Sequence, residues 1–166
     1  MLRTPETIHR IHFQDCDMMG HLNNARYLDY FLNAREEHTI RHYALNLGEL
    51  SREQDAGWVI TKHHLSYLRP ANHGETVRIR TQLIHFDSAN LVIEMQMLDE
   101  GGQTLKALLW SEMAFVSVRT GTRSEHAAAL MDMLEALDVP DIQYDPDGFD
   151  ERVARVRKDL KQLRQD

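Results

Sequence analysis

The chain has 166 residues, of which 42% are hydrophobic, so it is long enough to form one domain with a sizeable core. Its formal net charge of −7 argues against nucleic acid or an anionic membrane as the main partner, although it leaves room for a local basic patch that binds a phosphorylated ligand. A single cysteine excludes an internal disulfide, and we find neither an apolar signal core nor a membrane-spanning run, so we expect a cytoplasmic protein with no membrane partner.

A short strand and a long helix are the first predicted elements. Alternation of residues from Thr7 to Phe13 predicts a strand suited to a sheet edge. After Gly20 the period changes to three and four residues, which predicts a helix whose buried face contains Tyr27, Phe31, Ala34 and His38. Asn23 or Asn24 is the natural N-cap and Gly48 is a stop signal, so we expect a helix of about 20 residues or more.

Strands joined by short turns dominate the next part of the chain. The candidates are residues 57–68, 77–83, 91–97 and 105–118. The last of them is apolar on both faces in its middle, which predicts a central strand that is covered on both sides. Sequential hairpins indicate an antiparallel sheet, and the long helix must cover one of its faces. The order of elements therefore predicts an α+β fold with an early helix.

A second helical segment, a linker and a tail follow the last strand. The helical segment begins at Ser124 and continues to about Leu137, and the acidic stretch "DVPDIQYDPDGFD" is typical of a linker. Apolar residues at heptad spacing then predict a surface helix that docks on its own or a partner subunit: Val153, Val156, Leu160 and Leu163. We therefore divide the chain into a domain at 1–137 and an acidic linker with a C-terminal helical tail at 138–166.

Polar residues with possible chemistry are concentrated where the first strand gives way to the helix. Asp15 and Asp17 are two apart, so on an extended backbone both point to the same side and Cys16 points to the other. The helix that follows Gly20 begins with unpaired N–H groups, which can hold a carbonyl oxygen while a carboxylate attacks the carbon or activates water. Taken alone, the pattern is more typical of turn and capping acids than of catalysis.

Cysteine and histidine offer weaker candidates for chemistry. A thiol nucleophile at Cys16, paired with His21, is disfavoured because Cys16 faces away from Asp17 and because neighbouring carboxylates raise the pKa of a thiol. His38 and His42 are one helical turn apart, as in a two-histidine metal pair, but no third ligand is evident nearby. We therefore predict a packed, inert cysteine and no metal site.

Two motifs resemble those of one enzyme family. The segment "DCDMMGHLNNARY" resembles the D-x-D-x-x-G-H-x-N-N-x-x-Y signature of hot-dog-fold thioesterases of the 4-hydroxybenzoyl-CoA and long-chain acyl-CoA thioesterase-like group. "YLRPANHGETV" resembles the strand end of that family, followed by G-[DE]-x-V. The resemblance covers about residues 7–119. It implies a hot-dog fold, in which a five- or six-stranded antiparallel sheet wraps a long central helix, and a homodimer or homotetramer with active sites at the subunit interface.

The resemblance also implies roles for particular residues. The matching acid is Asp17, which would act as nucleophile or general base on the thioester carbonyl of an acyl-CoA substrate. The backbone N–H near Asn24 would polarise that carbonyl, and Gly20 would allow close approach. The side chains of His21, Asn23 and Asn24 would fix the turn and orient water or Asp17. Asp15 would be structural, and neither a metal nor a redox cofactor would be needed.

The sequence is also compatible with two other functions, and it does not identify the residues that contact the phosphates of CoA. A hot-dog hydratase or dehydratase would use His21 and an acid to move protons on a C–C bond, and a non-catalytic acyl-CoA-binding module would keep the fold and pocket without turnover. Four arginines could meet the phosphates of CoA, but exposed arginines are usually only solvated, so none is assigned: Arg78, Arg80, Arg119 and Arg123.

Overall fold

The computed structural model describes residues 1–163, which contain one five-stranded antiparallel sheet and four α-helices. The strands are β1 (Glu6–Arg10), β2 (Ala56–Tyr67), β3 (Thr76–Phe86), β4 (Asn90–Asp99) and β5 (Leu105–Ser117), in the sheet order β1-β3-β4-β5-β2. The helices are α1 (Tyr27–Tyr43), α2 (Leu47–Gln54), α3 (Ala128–Leu137) and α4 (Phe149–Gln162). The predicted α+β class, with an early helix and an antiparallel sheet, is confirmed.

Helix α1 packs along one face of the sheet. Its apolar residues recur every three or four positions, so one side of the helix is continuously buried. That side meets inward-facing residues of the three central strands, among them Ile79, Met95 and Leu109. Because alternate residues of a strand share a face, these strands present an unbroken apolar surface to the helix.

The long helix is shorter than the sequence suggested, and Gly48 does not end it. Ala44 adopts a left-handed backbone with φ 51°, which terminates α1. The side chain of Asn46 then accepts hydrogen bonds from the N–H groups of Gly48 and Glu49, and so caps a separate helix, α2. Gly48 consequently lies in the first turn of α2.

Helix α4 covers the opposite face of the sheet. Its buried residues Val153, Val156 and Leu160 pack in a second apolar cluster with Leu108 and Trp110 of β5. The predicted tail therefore docks on the sheet of its own chain, and β5 is covered on both faces, as its sequence indicated. Residues 164–166 of that tail lie outside the described residues. Of the helices described in 1–163, none has the length and apolar composition needed to cross a membrane.

A buried histidine joins α1 to the sheet. His38 is fully buried, its Nδ1 lies 2.7 Å from Oγ1 of Thr81 on β3, and its Nε2 lies 3.1 Å from Oγ1 of Thr7 on β1. Both ring nitrogens are thus engaged by hydroxyl groups, so His38 does not pair with His42 on a metal ion. Burial, reinforced by the positive charge of Arg35, lowers the pKa of His38 to about 4.

This histidine predicts an acid-sensitive fold. Between about pH 6.5 and pH 4 the unfolded chain protonates His38 and the folded chain does not, so stability is lost as the pH falls through this range. We expect His38 to lower the free energy of unfolding by about 2 kcal/mol at pH 5 relative to pH 7. Urea unfolding at the two pH values measures this difference. In His38→Gln, which keeps one donor and one acceptor, the difference should shrink, and an unchanged difference would contradict the assignment.

Candidate active site

The chain does not continue as a strand into the first motif, contrary to the sequence-based expectation. β1 ends at Arg10, and residues 13–15 form a 3₁₀ turn, so Asp15 and Asp17 do not share one face of an extended backbone. The turn directs Asp15 towards α1, where its Oδ2 accepts a hydrogen bond of 2.8 Å from the hydroxyl of Tyr30. The guanidinium of Arg26 lies 3.9 Å from the other oxygen. Asp15 therefore ties the turn to the helix.

Asp17 begins a tight turn that orients its own carboxylate. Oδ1 accepts hydrogen bonds from the backbone N–H groups of Met19, at 2.8 Å, and His21, at 3.1 Å. The backbone closes the same turn, since the N–H of Gly20 donates to the carbonyl of Asp17 at 3.1 Å and Gly20 has φ 76°, a conformation that favours glycine. Oδ2 accepts no hydrogen bond from any residue in 1–163, and the side chain is exposed. One oxygen is thus fixed and the other is open to a ligand.

The start of the helical segment lies beside this turn. It is a 3₁₀ turn at residues 24–26 that leads into α1, and Asn23 caps this turn because its Oδ1 accepts a hydrogen bond of 3.0 Å from the N–H of Ala25. The cap predicted for the long helix thus lies at the 3₁₀ turn before it, and the N-cap residue of α1 is Arg26. The N–H of Asn24 precedes the first helical hydrogen bond and has no acceptor among the described residues. Tyr67, at the end of β2, donates a hydrogen bond of 2.9 Å to the carbonyl of Asn24. The helix start therefore presents a free N–H, and its hydrogen bond with Tyr67 fixes it to the end of β2.

One open cavity of about 270 Å³ connects these groups. Of the five predicted site residues, Asp17, His21 and Asn24 line it, whereas Gly20 and Asn23 do not and instead shape the turn and the helix start. The sequence analysis missed two further polar residues in its wall, Tyr67 and Arg69. The complete lining is Asp17, His21, Leu22, Asn24, Tyr27, Tyr67, Leu68, Arg69 and Pro70.

The second motif forms the other wall because it pairs with the first. The N–H of Leu22 donates to the carbonyl of Ala71, and the N–H of His73 donates to the carbonyl of Gly20, both at 2.8 Å. The hydroxyl of Tyr27 also accepts a hydrogen bond from the N–H of Ala71. In the sequence, the segment "YLRPANHG" resembled a family motif, but this resemblance did not show that the segment pairs with the first motif.

Cys16 has no place in this cavity. Its Sγ donates to the carbonyl of His12 at 3.3 Å. Burial, together with the negative charges of Asp15 and Asp17, raises the pKa of the thiol, so it stays protonated at neutral pH. Cys16 is partly buried against the core, as predicted for a packed cysteine, and its inertness stays a prediction.

A separate apolar cavity of about 220 Å³ lies farther along α1. It opens between α1, the sheet and α3, and in the same chain it shares no lining residue with the Asp17 cavity. Its walls are largely apolar, with Tyr43, Trp58 and Met133 among them, although Arg35 and Glu36 also line it. Such a lining suits an aliphatic or aromatic group.

The sequence of this chain is similar to those of known proteins. The model of the thioesterase-like superfamily matches residues 11–162. Protein THEM6 from Danio rerio is 28% identical over 100 residues, which cover 60% of this chain and 48% of THEM6. The matched region thus spans about half the length of that relative.

Several solved structures share the fold. The DHNA-CoA thioesterase from Staphylococcus aureus superimposes with a TM-score of 0.70 at 18% identity, covering 80% of this chain and 87% of that one. The protein SAV2348 from Staphylococcus aureus, solved in complex with CoA, gives 0.73 at 16% identity over 85% and 89% of the two chains. YbaW, a probable thioesterase from Escherichia coli, gives 0.68 at 20% identity over 81% and 98%. These likenesses confirm the hot-dog fold, with five strands around α1.

Proposed function

The chain belongs to the thioesterase-like superfamily, and we propose that it hydrolyses the thioester bond of a fatty or aromatic acyl-CoA. The observation that carries this proposal is the arrangement of Asp17 and Asn24 in one open cavity. Asp17 has a carboxylate oxygen without a partner and Asn24 has an N–H without an acceptor among residues 1–163, and both residues line this cavity. A thioester carbonyl needs both kinds of group, a nucleophile or base at its carbon and a donor at its oxygen.

In the proposed mechanism the N–H of Asn24 binds the thioester oxygen. The positive end of the helix stabilises the negative charge that develops there. If Asp17 acts as a base, it takes a proton from the water that attacks the carbonyl carbon, the C–S bond breaks, and that proton passes to the CoA thiolate. If Asp17 attacks the carbon itself, the C–S bond breaks to leave a mixed anhydride on Asp17, and water then hydrolyses the anhydride to release the acid. His21 lines the cavity and is in a position to orient water.

The edge of the sheet supports a homodimer. β2 has 12 residues and pairs only with β5 in the part of the chain that the structure describes, so its other edge is open. Val59 and Ile60 on this strand are 47% and 41% exposed, which favours covering by a second copy. We propose that two β2 strands pair antiparallel about a two-fold axis.

This pairing would complete the active site. An antiparallel two-fold axis places the Trp58 end of one β2 beside the Tyr67 end of the other. Trp58 lines the apolar cavity and Tyr67 lines the Asp17 cavity. The acyl group bound at Asp17 of one subunit would therefore enter the apolar cavity of its partner.

Mixed dimers test this arrangement. We expect Asp17→Asn to lack turnover and Met133→Trp, which fills the apolar cavity, to lack turnover on long-chain acyl-CoA. When the two variants are co-expressed, about half of the dimers contain one subunit of each. In such a dimer, one site combines native Asp17 with a native apolar cavity, and the other site contains both substitutions. About a quarter of all sites are therefore intact, and turnover should return to about a quarter of wild type. Thermal melts confirm that both variants fold. A mixture no more active than its two components would contradict the shared site.

Release of free CoA from a panel of aliphatic and aromatic acyl-CoAs tests the activity itself. We expect turnover on at least one member of the panel. Consumption of an enoyl-CoA without CoA release would favour the hydratase. Thermal stabilisation by acyl-CoA without turnover of any substrate would favour the binding module.

A further inference from the structure

A basic cavity lies next to the Asp17 cavity and shares Arg69 with it. Arg69 follows β2, and the other two cations of the cavity, Arg157 and Lys161, belong to the last turns of α4. Gln103 and Thr104 of the turn between β4 and β5, with Leu105 at the start of β5, close the third side. None of the described residues that line this cavity is acidic.

The three cations of this cavity are unpaired. None of them forms an ion pair with a carboxylate in the described part of the chain. Arg157 and Lys161 are four residues apart, where like charges on a helix repel each other. All three side chains are exposed, and a chain with a net charge of −7 concentrates positive charge here, which an anion bound between the side chains would neutralise.

Helix α4 and the segment after β2, which carry the three cations, are both held in place. Leu160, between the two cations of α4, is buried against the sheet, and Arg152 anchors the same helix through its ion pair with Glu94. On the other side, the backbone N–H of Arg69 donates to the carbonyl of Lys106 at 3.0 Å. The cations therefore extend from rigid elements.

We infer that Arg69, Arg157 and Lys161 bind the phosphates of the CoA nucleotide, an inference that rests on the proposed function. With the thioester carbon at Asp17, the pantetheine arm would leave the catalytic cavity past Arg69, and the phosphates would reach the adjoining basic cavity. Arginine and lysine bind phosphate through charge-assisted hydrogen bonds. Helix α4 would thus be the part of the chain that recognises the nucleotide.

The arginines considered from the sequence are engaged elsewhere. Arg78 and Arg80 both pair with Glu6. Arg119 lies 3.4 Å from Asp55. The fourth, Arg123, donates a hydrogen bond of 2.7 Å to the side chain of Asn90. These contacts leave the basic cavity as the stronger candidate for the phosphates.

The test compares two substrates that differ only in the nucleotide. For Arg157→Ala/Lys161→Ala we expect KM for acyl-CoA to rise about 10- to 100-fold with kcat retained, because both charge-assisted contacts are lost. KM for the matching acyl-pantetheine, which lacks the nucleotide, should not change. The control is Arg155→Ala/Lys158→Ala, which removes the same charge from positions of α4 that are exposed, as Arg157 and Lys161 are, but lie outside the cavity, and it should leave both KM values unchanged.

Other outcomes separate this inference from the proposed function. Equal changes in KM for the two substrates, or no change for acyl-CoA, would overturn the phosphate site while leaving the thioesterase intact. If wild type hydrolyses no thioester, calorimetry with CoA itself decides. Binding that weakens in Arg157→Ala/Lys161→Ala but not in the control would support the phosphate site without the activity, and equal binding by all three proteins would overturn it.

Discussion

Asp17→Asn should lower kcat for thioester hydrolysis by about 10²–10⁴-fold, the range expected when a positioned acid or base is removed. Asparagine keeps the oxygen that accepts hydrogen bonds from the N–H groups of Met19 and His21, so the turn should remain closed. The substitution replaces only the free carboxylate oxygen with an amide, which neither attacks a carbonyl nor takes a proton from water. Steady-state release of CoA measures the loss.

Asp15→Asn is the matched control for this prediction. It removes a negative charge two residues away, and its amide oxygen can still accept the hydrogen bond from Tyr30. We expect near-wild-type kcat, with any cost limited to thermal stability. A folded Asp17→Asn protein with full activity would contradict the assignment of Asp17 as the catalytic acid.

Arg152→Met should lower the free energy of unfolding by about 3–5 kcal/mol, because it leaves a buried charge without its partner. Glu94 is fully buried under α4, and two nitrogens of Arg152 donate to its carboxylate at 2.8 and 2.9 Å. Burial by itself would raise the pKa of Glu94. The positive charge of Arg152 and hydrogen bonds from Arg152, Trp110 and Gln96 outweigh that effect and hold the pKa below its ordinary value. Urea unfolding at pH 7 measures the loss.

The pH dependence and a double variant separate charge from packing. The lowered pKa of Glu94 gives stability that is present above about pH 4.5 and is lost as the pH falls through its folded value. Glu94→Gln/Arg152→Met removes both charges, and Gln96 Oε1, buried without a partner in 1–163, can turn to accept from the new amide. The double variant should recover most of the stability at pH 7. A double variant as unstable as Arg152→Met would show that packing, and not the unpaired charge, is responsible.

Several features of the fold followed from the sequence because they depend on neighbouring residues. Three- and four-residue periodicity placed the early helix, and alternation with short turns placed the hairpins of the antiparallel sheet. The capping role of Asn23 depends only on a short polar side chain next to a helix start. The signature around Asp17 likewise identified the family without any knowledge of distant contacts.

Other features escaped the sequence because their signals were ambiguous. The break at Ala44 follows no glycine or proline, and Asn46 as a second cap competes with continuation of the helix. The 3₁₀ turn at residues 13–15 replaced the expected strand, since Asp15 gains a hydrogen bond from Tyr30 on α1. Both outcomes depend on contacts with other parts of the chain.

The sequence by itself therefore determined the class of fold, the family and the acid proposed for catalysis. Only the tertiary structure decided that Tyr67 orients the helix start and that Arg69 meets Arg157 and Lys161 in one cavity. Periodicity, capping and turn signals act over a few residues and can be read along the chain. Contacts between segments far apart in the chain depend on how sheet and helices pack, and no local pattern encodes them.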